Sequence, residues 1–367
     1  MSGAAGGAAG GAAGGAAGGV LGGSDITKAL RSHRDAIVQP DDASTYAEST
    51  SRPDFSTSDS DIKKELAKKI KRLDSWAIPY VLMPRIIEPI TFDSKQSTSL
   101  TLRVGGVRAL TLFVPTINQF KLELAQVIAD AELRNDRSAE ILVQANDTSP
   151  FWASILPLDA ARTPATLLLL SLAQHLSLYV HMRFKHEFSC ARPVDYSSQV
   201  QPMIRTPGHG TYPMGHMCES IVTAFLLAEL TQPENNSNNM PAWNGLKEQL
   251  YRTARRIGEN RVIAGLHFPI DWYAGLATGV WIAKYFEMRC KGSEFWNSES
   301  IGKFGECEFK PEDIKIQDAL NLTLLKPPAT RIFPKEKSVA PLQKIPELEL
   351  IWSLAREEMQ PVHQSYP

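Results

Sequence analysis

Between residues 117 and 288 apolar side chains recur at the three-to-four-residue spacing of an α-helix, in runs separated by turn residues. The runs predict helices over Ile117–Ala145, Thr163–Phe184, His216–Leu230, Trp243–Ala264 and Pro269–Met288. Thr163-Pro164 supplies an N-cap followed by a first-turn proline, and the apolar run behind it is wide enough to be buried on more than one side. That helix is expected at the centre of a bundle. A single segment alternates as a strand does: Leu100 to Pro115 places β-branched and apolar residues around Gly105-Gly106, the composition of a short hairpin. The expected fold is mainly α, a helical bundle with a small β-hairpin toward its N-terminal side.

The flanks carry no such pattern. Met1 to Gly23 repeats Ala-Ala-Gly-Gly without the basic and bulky apolar regions of a secretory signal, and reads as a flexible linker or tail. Ser24 to about Pro53 is polar, and the Ser/Thr/Asp-rich stretch Ser49 to Asp61 reads as an exposed arm. The expected organisation is therefore a flexible segment over 1–60, a helical domain over 61–325, and a proline-rich strap over 326–367 ending in an amphipathic stretch at Glu347 to Glu358. Pro164 to Val180 is the most apolar run. It contains Gln174 and His175 and leads into His181, Arg183 and Lys185, so it is read as falling short of the ~20 apolar residues that span a bilayer.

A formal net charge of -1 offers no basic stripe for nucleic acid, so any positive field must be local. Cys190, Cys218, Cys290 and Cys307 form no CxxC pair and no zinc spacing, and are read as reduced thiols. Together these features predict a soluble, cytoplasmic protein with no membrane span.

Candidate chemistry is concentrated in three segments. Lys185 closes the predicted central helix and Arg192-Pro193 follows in an irregular stretch, because a residue before proline is pushed out of the α region. Both cations can face one space; equally, they can complement the negative end of a helix. In the second segment Gly208, Gly210 and Pro213 are turn residues, and Gly215-His216 opens a helix whose free N–H groups favour an anion. In the third, Pro269 sits in a first helical turn, with His267 just ahead of it and Asp271 inside it. A carboxylate there can fix the tautomer of the histidine, or simply complement the helix dipole. Arg261 would come from the end of the preceding helix.

These segments resemble the signature KxxxxxxRP, PSGH and SRxxxxxHxxxD of the vanadium-dependent haloperoxidase and type 2 phosphatidic acid phosphatase superfamily, over about Thr163 to Met288. The resemblance implies that Lys185, Arg192 and Arg261 neutralise the oxygens of bound vanadate or phosphate and that the Gly215 N–H bonds one of them. It makes His267 the axial vanadium ligand or, in a phosphatase, the phosphorylated nucleophile. His216 becomes the acid/base, and Asp271 orients His267. Met214 stands where the pattern has serine, removing a hydroxyl donor of a kind worth about 3 kcal/mol in an oxyanion site, and Asn260 replaces the serine before Arg261.

His209, seven residues before His216, resembles the haloperoxidase branch and would tune halide oxidation. On that branch the expected cofactor is vanadate, and the expected partners are hydrogen peroxide and bromide or iodide. The alternative is an acid phosphatase acting on a phosphomonoester through a phosphohistidine. A second alternative is an anion-binding helical protein weakened by Met214. The chain is shorter than the two-bundle haloperoxidases, which leaves room for a homo-oligomer in which a second copy supplies more core.

Overall fold

A computed structural model describes residues 76–95, 98–233, 240–291, 307–309 and 345–364, with scattered positions between 66 and 74. The chain divides into two units, Met1–Ile78 and Pro79–Pro367. The expected tail over 1–60, the boundaries at 60 and 325, and residues 326–344 of the proline-rich strap lie outside the described residues.

Helix α1 (Ile78–Ile87) falls in the second unit from Pro79 onward, and that unit also holds a sheet of order β1-β2-β3-β4. Strands β1 (Ile90–Lys95), β2 (Ser99–Val104) and β3 (Val107–Phe113) are antiparallel neighbours, and β4 (Cys307–Phe309) runs parallel to β3. The expected hairpin is β2–β3. Its turn, Gly105-Gly106, has φ of 56° and 81°, and two successive positive φ values are what a twisted two-residue hairpin needs. Leu100, Leu102 and Val104 alternate inward, and Phe92 of β1 packs edge-on to Phe184 at 5.7 Å, so the sheet rests on the helix that carries Lys185.

A helical assembly follows: α2 (Ile117–Ala129), α3 (Arg134–Gln144), α4 (Ser149–Ala153), α5 (Pro164–Phe188), α6 (Pro193–Tyr196), α7 (Gly215–Leu230), α8 (Met240–Ile263), α9 (Pro269–Lys291) and α10 (Pro346–Gln364). The mainly α class holds, with a larger sheet than the hairpin expected. One predicted helix is two: Ile117–Ala145 breaks at a 3-10 turn, Asp130–Leu133. Arg134 then spends its guanidinium on the carbonyls of Ile263 (2.9 Å), Gln201 (2.8 Å) and Val200 (2.8 Å), tertiary bonds that redirect the helix without any local breaker.

At the centre α7 packs against α5, α8 and α9. Gly275 and Gly279, one turn apart on α9, allow the approach: a Cβ on Gly275 would lie 2.5 Å from Met214 O, and one on Gly279 would lie 2.2 Å from Ile221 Cγ2. Thr163 is the N-cap of α5 but its side chain caps nothing. The Glu358 carboxylate, from α10, instead accepts from Ala165 N and Thr166 N at 2.8 Å and from Thr166 Oγ1 at 2.7 Å. A Glu358→Ala variant is expected to lose about 1–2 kcal/mol of stability in denaturant unfolding, the usual cost of a lost cap.

The expectation of no membrane span, and with it the soluble, cytoplasmic assignment, is corrected by this helical region. Pro164–Tyr196 is long and apolar enough to cross a bilayer by length and composition, with half of its most apolar window buried within the fold. The helix, predicted to close at Phe184–Lys185, runs on to Phe188.

Candidate active site

The third segment is the most tightly determined. His267 Nδ1 lies 3.0 Å from Asp271 Oδ2, one helical turn ahead in the first turn of α9. The same carboxylate oxygen accepts from Phe268 N at 2.9 Å and, in a short bond, from Thr211 Oγ1, which also lies 3.0 Å from His267 Nδ1. On the other side of the ring, Arg192 Nη1 lies 3.4 Å from His267 Nε2. A guanidinium only donates and a carboxylate only accepts, so the partners dictate the tautomer: Nδ1 carries the proton and Nε2 the lone pair. Burial, with the charges of Arg192 and Lys185, holds the His267 imidazole well below its usual range and keeps it neutral.

Lys185 is 1% exposed and donates to Gly210 O at 3.0 Å and Thr211 O at 2.8 Å. Arg192 donates to Leu266 O at 2.8 Å, to His209 O at 3.2 Å and to His209 Nδ1 at 3.2 Å. These bonds gather the first and third segments around the loop 209–211. Burial lowers the Lys185 ammonium, and the neighbouring Arg192 lowers it further, against the pull of Asp271. Burial raises the Asp271 carboxyl, opposed by its bonds from Thr211 and Phe268 and then by Lys185 and Arg192. His209 is exposed on the rim, its Nδ1 turned to Arg192.

The second segment enters through the buried Met214, whose N–H donates to Asp271 O at 2.8 Å, joining the start of α7 to the start of α9. Met214 is the N-cap of α7 and makes no side-chain cap bond. A thioether leaves the first-turn N–H groups of His216 and Met217 without the acceptor that a serine at the N-cap would offer. The ring of His181 closes on Gly215, where a Cβ would lie 3.1 Å from its Cε1, and His181 Nε2 lies 3.0 Å from Glu219 Oε1.

Arg261 and His216 both lie against the end of α3. Arg261 is fully buried, donates through Nη2 to Ile141 O at 2.9 Å and more weakly to Gln144 Oε1 at 3.4 Å, and has no partner for Nε or Nη1 among the described residues. Burial lowers it to about 10. His216 Nε2 lies 3.2 Å from Gln144 O, and burial, then Arg261, depresses it to about 4. Asn260 does not turn to the same space: its amide donates to Glu140 Oε2 at 3.0 Å and Gln144 Oε1 at 2.9 Å, and its Oδ1 accepts from Arg137 at 3.2 Å.

Sequence reasoning missed Thr211, Gln144, Glu123 and the pair His181–Glu219. Glu123 of α2 accepts from Ile270 N at 2.9 Å and so caps the helix that carries Asp271; burial pushes its carboxyl up to about 8. Thr211 had one signal, its place between the turn residues Gly210 and Pro213 just ahead of Gly215-His216. The others lie on helices whose local pattern gives no hint of the site.

No family pattern matches the chain, and no curated protein matches it. Among solved structures the chain is similar to one described as "Crystal structure of the first transmembrane PAP2 type phosphatidylglycerolphosphate phosphatase from Bacillus subtilis", at 16% identity and a TM-score of 0.38, over 47% of this chain and 86% of that one.

Proposed function

We propose that the chain is a phosphomonoester hydrolase that works through a phosphohistidine on His267. The carrying observation is the ring of His267, with Nδ1 held at 3.0 Å by Asp271 and the lone pair of Nε2 facing the guanidinium of Arg192. A neutral imidazole with one nitrogen anchored and the other beside a cation is a nucleophile with its electrophile's binding group already in place. The 3.4 Å contact is long for a hydrogen bond, so a phosphoryl oxygen can take that donor without losing a strong partner.

In the first step His216 enters as the imidazolium that the incoming phosphate dianion favours; the Nε2 lone pair of His267 attacks phosphorus, the P–O ester bond breaks, and the leaving oxygen takes the Nδ1 proton of His216. Water then attacks the phosphohistidine, giving its proton to His216 as the P–N bond breaks and inorganic phosphate leaves. Asp271 stabilises the charge that forms on the ring. Lys185, Arg192, the unpartnered edge of Arg261 and the Gly215 N–H meet the equatorial oxygens, where charge builds up in phosphoryl transfer.

Orthovanadate has the same charge and shape, and the same donors would hold it; bound there, it would supply peroxide activation for halide oxidation. Halogenation is the weaker reading because Met214 and Cys190, which border the loop 209–211 and the start of α7, would face the oxidant produced. A hydrolase makes no oxidant.

The purified chain should release phosphate from an aryl phosphomonoester, with orthovanadate as inhibitor and an acid-labile phosphoenzyme on rapid quenching. Phosphate affinity should fall as pH rises: a Lys185 ammonium held below its ordinary value deprotonates earlier, and an arriving anion must restore the proton. Calorimetry in buffers of different ionisation enthalpy reads this as proton uptake on binding. Vanadate-dependent bromination of a phenolic dye, with no phosphate release, would reverse the choice.

A further inference from the structure

The three sequence segments supply every cation of the cradle but leave open what holds Arg261 and His216 in place. Both meet Gln144, the last residue of α3, nineteen positions ahead of Thr163 and outside all three segments. Gln144 is 1% exposed. Its amide oxygen accepts from Asn260 Nδ2 at 2.9 Å and Arg261 Nη2 at 3.4 Å, and its backbone carbonyl faces His216 Nε2 at 3.2 Å.

We propose that Gln144 is a positioning residue for the hydrolytic site, holding the Arg261 guanidinium by one corner so that Nε and Nη1 face the anion, and holding His216 with its second ring nitrogen toward the leaving oxygen. The proposal rests on the phosphohydrolase reading. Two donors converge on the amide oxygen, so the amide cannot turn over without setting its own N–H groups against them. The guanidinium is planar, and with Nη2 held by Ile141 O (2.9 Å) and, more weakly, by Gln144 Oε1 (3.4 Å) its plane is set. The remaining nitrogens, Nε and Nη1, are buried and have no partner among the described residues. For His216 the backbone carbonyl can only accept, so Nε2 carries the proton and Nδ1 is left to exchange one with substrate.

The arrangement is braced from outside. Asn260 is shared between Gln144 and Glu140, and Arg256 forms a two-bond ion pair with Glu140 at 2.7 and 2.5 Å. A chain of polar contacts thus runs from the surface of α8 to Arg261.

Gln144→Glu keeps the shape and both accepted bonds of the side chain while setting a carboxylate against Arg261. The dissociation constant of inorganic phosphate, measured by calorimetry, is expected to rise about tenfold or more, because the guanidinium is neutralised before the anion arrives. In steady-state hydrolysis KM should rise with it and kcat should fall as well, because the same guanidinium meets the charge that builds up in the transition state. Gln144→Met fills the space without adding charge and should weaken phosphate by only about threefold, with Nη2 still on Ile141 O. A purely structural amide would rank the two variants by thermal stability, not by phosphate affinity.

Phosphate binding within twofold of wild type in Gln144→Glu overturns the proposal and leaves the cradle standing. If that variant does not fold, unchanged phosphate binding in Gln144→Met overturns it instead. A wild-type chain that binds neither phosphate nor orthovanadate removes the hydrolase reading, and this proposal with it.

Discussion

A His267→Ala variant is expected to lose phosphomonoester hydrolysis by on the order of 10^4-fold while still binding inorganic phosphate, because the nucleophile goes and the cations stay. Its phosphoenzyme should vanish from the acid quench. Asp271→Asn provides the contrast. Asp271 Oδ2 accepts from His267, Phe268 and Thr211, whereas Oδ1 is buried with no partner. An asparagine will therefore put its oxygen at the crowded position and its amide nitrogen at the empty one. The tautomer of His267 survives, and what is lost is the negative charge facing the forming phosphohistidine. We expect a fall of roughly 10^2-fold, smaller than the ~10^4-fold typical where the substitution also reverses the tautomer. Equal losses in the two variants would mean that the ring is not held as the geometry indicates, and full activity in His267→Ala would remove the phosphohistidine altogether.

Much of this site could be read from the chain, for a physical reason. Residues that must sit at helix ends carry local signals: Pro164, Pro193 and Pro269 fall at first helical positions, and Gly215 opens α7. The positions of Arg192, His216, His267 and Asp271 relative to those ends followed directly, whereas Lys185, expected just past a helix end, sits inside a helix that runs on to Phe188. Residues that act across elements carry no such mark. Gln144, Glu123 and Glu219 look like ordinary polar residues on amphipathic helices, and only tertiary packing turns them inward. Asn260 illustrates the opposite error, since its place beside Arg261 in sequence suggested an anion contact, yet the helix turns it to Glu140 and Arg137. Likewise the 3-10 break at Asp130–Leu133 has no proline or glycine behind it; Arg134 makes it through carbonyls far away in sequence.

The second large effect concerns Arg261, where stability and activity should move in opposite directions. Its side chain is fully buried, no carboxylate pairs with it among the described residues, and two guanidinium nitrogens lack partners. A buried charge in that condition opposes folding by several kcal/mol, less what Ile141 and Gln144 return. Arg261→Met fills similar volume without a charge and should raise stability in denaturant unfolding by about 1–4 kcal/mol. The same change should lower kcat/KM by about 10^2- to 10^3-fold, the scale of one lost oxyanion donor. Phosphate ties the two results together: a saturating anion stabilises the wild type through linkage, and this gain should shrink sharply in the variant. A variant that unfolds more easily and keeps its activity would show that Arg261 is held by the fold for the fold's sake. The opposite pair of results would identify the unpartnered edge of Arg261 as a place kept open for the substrate's charge.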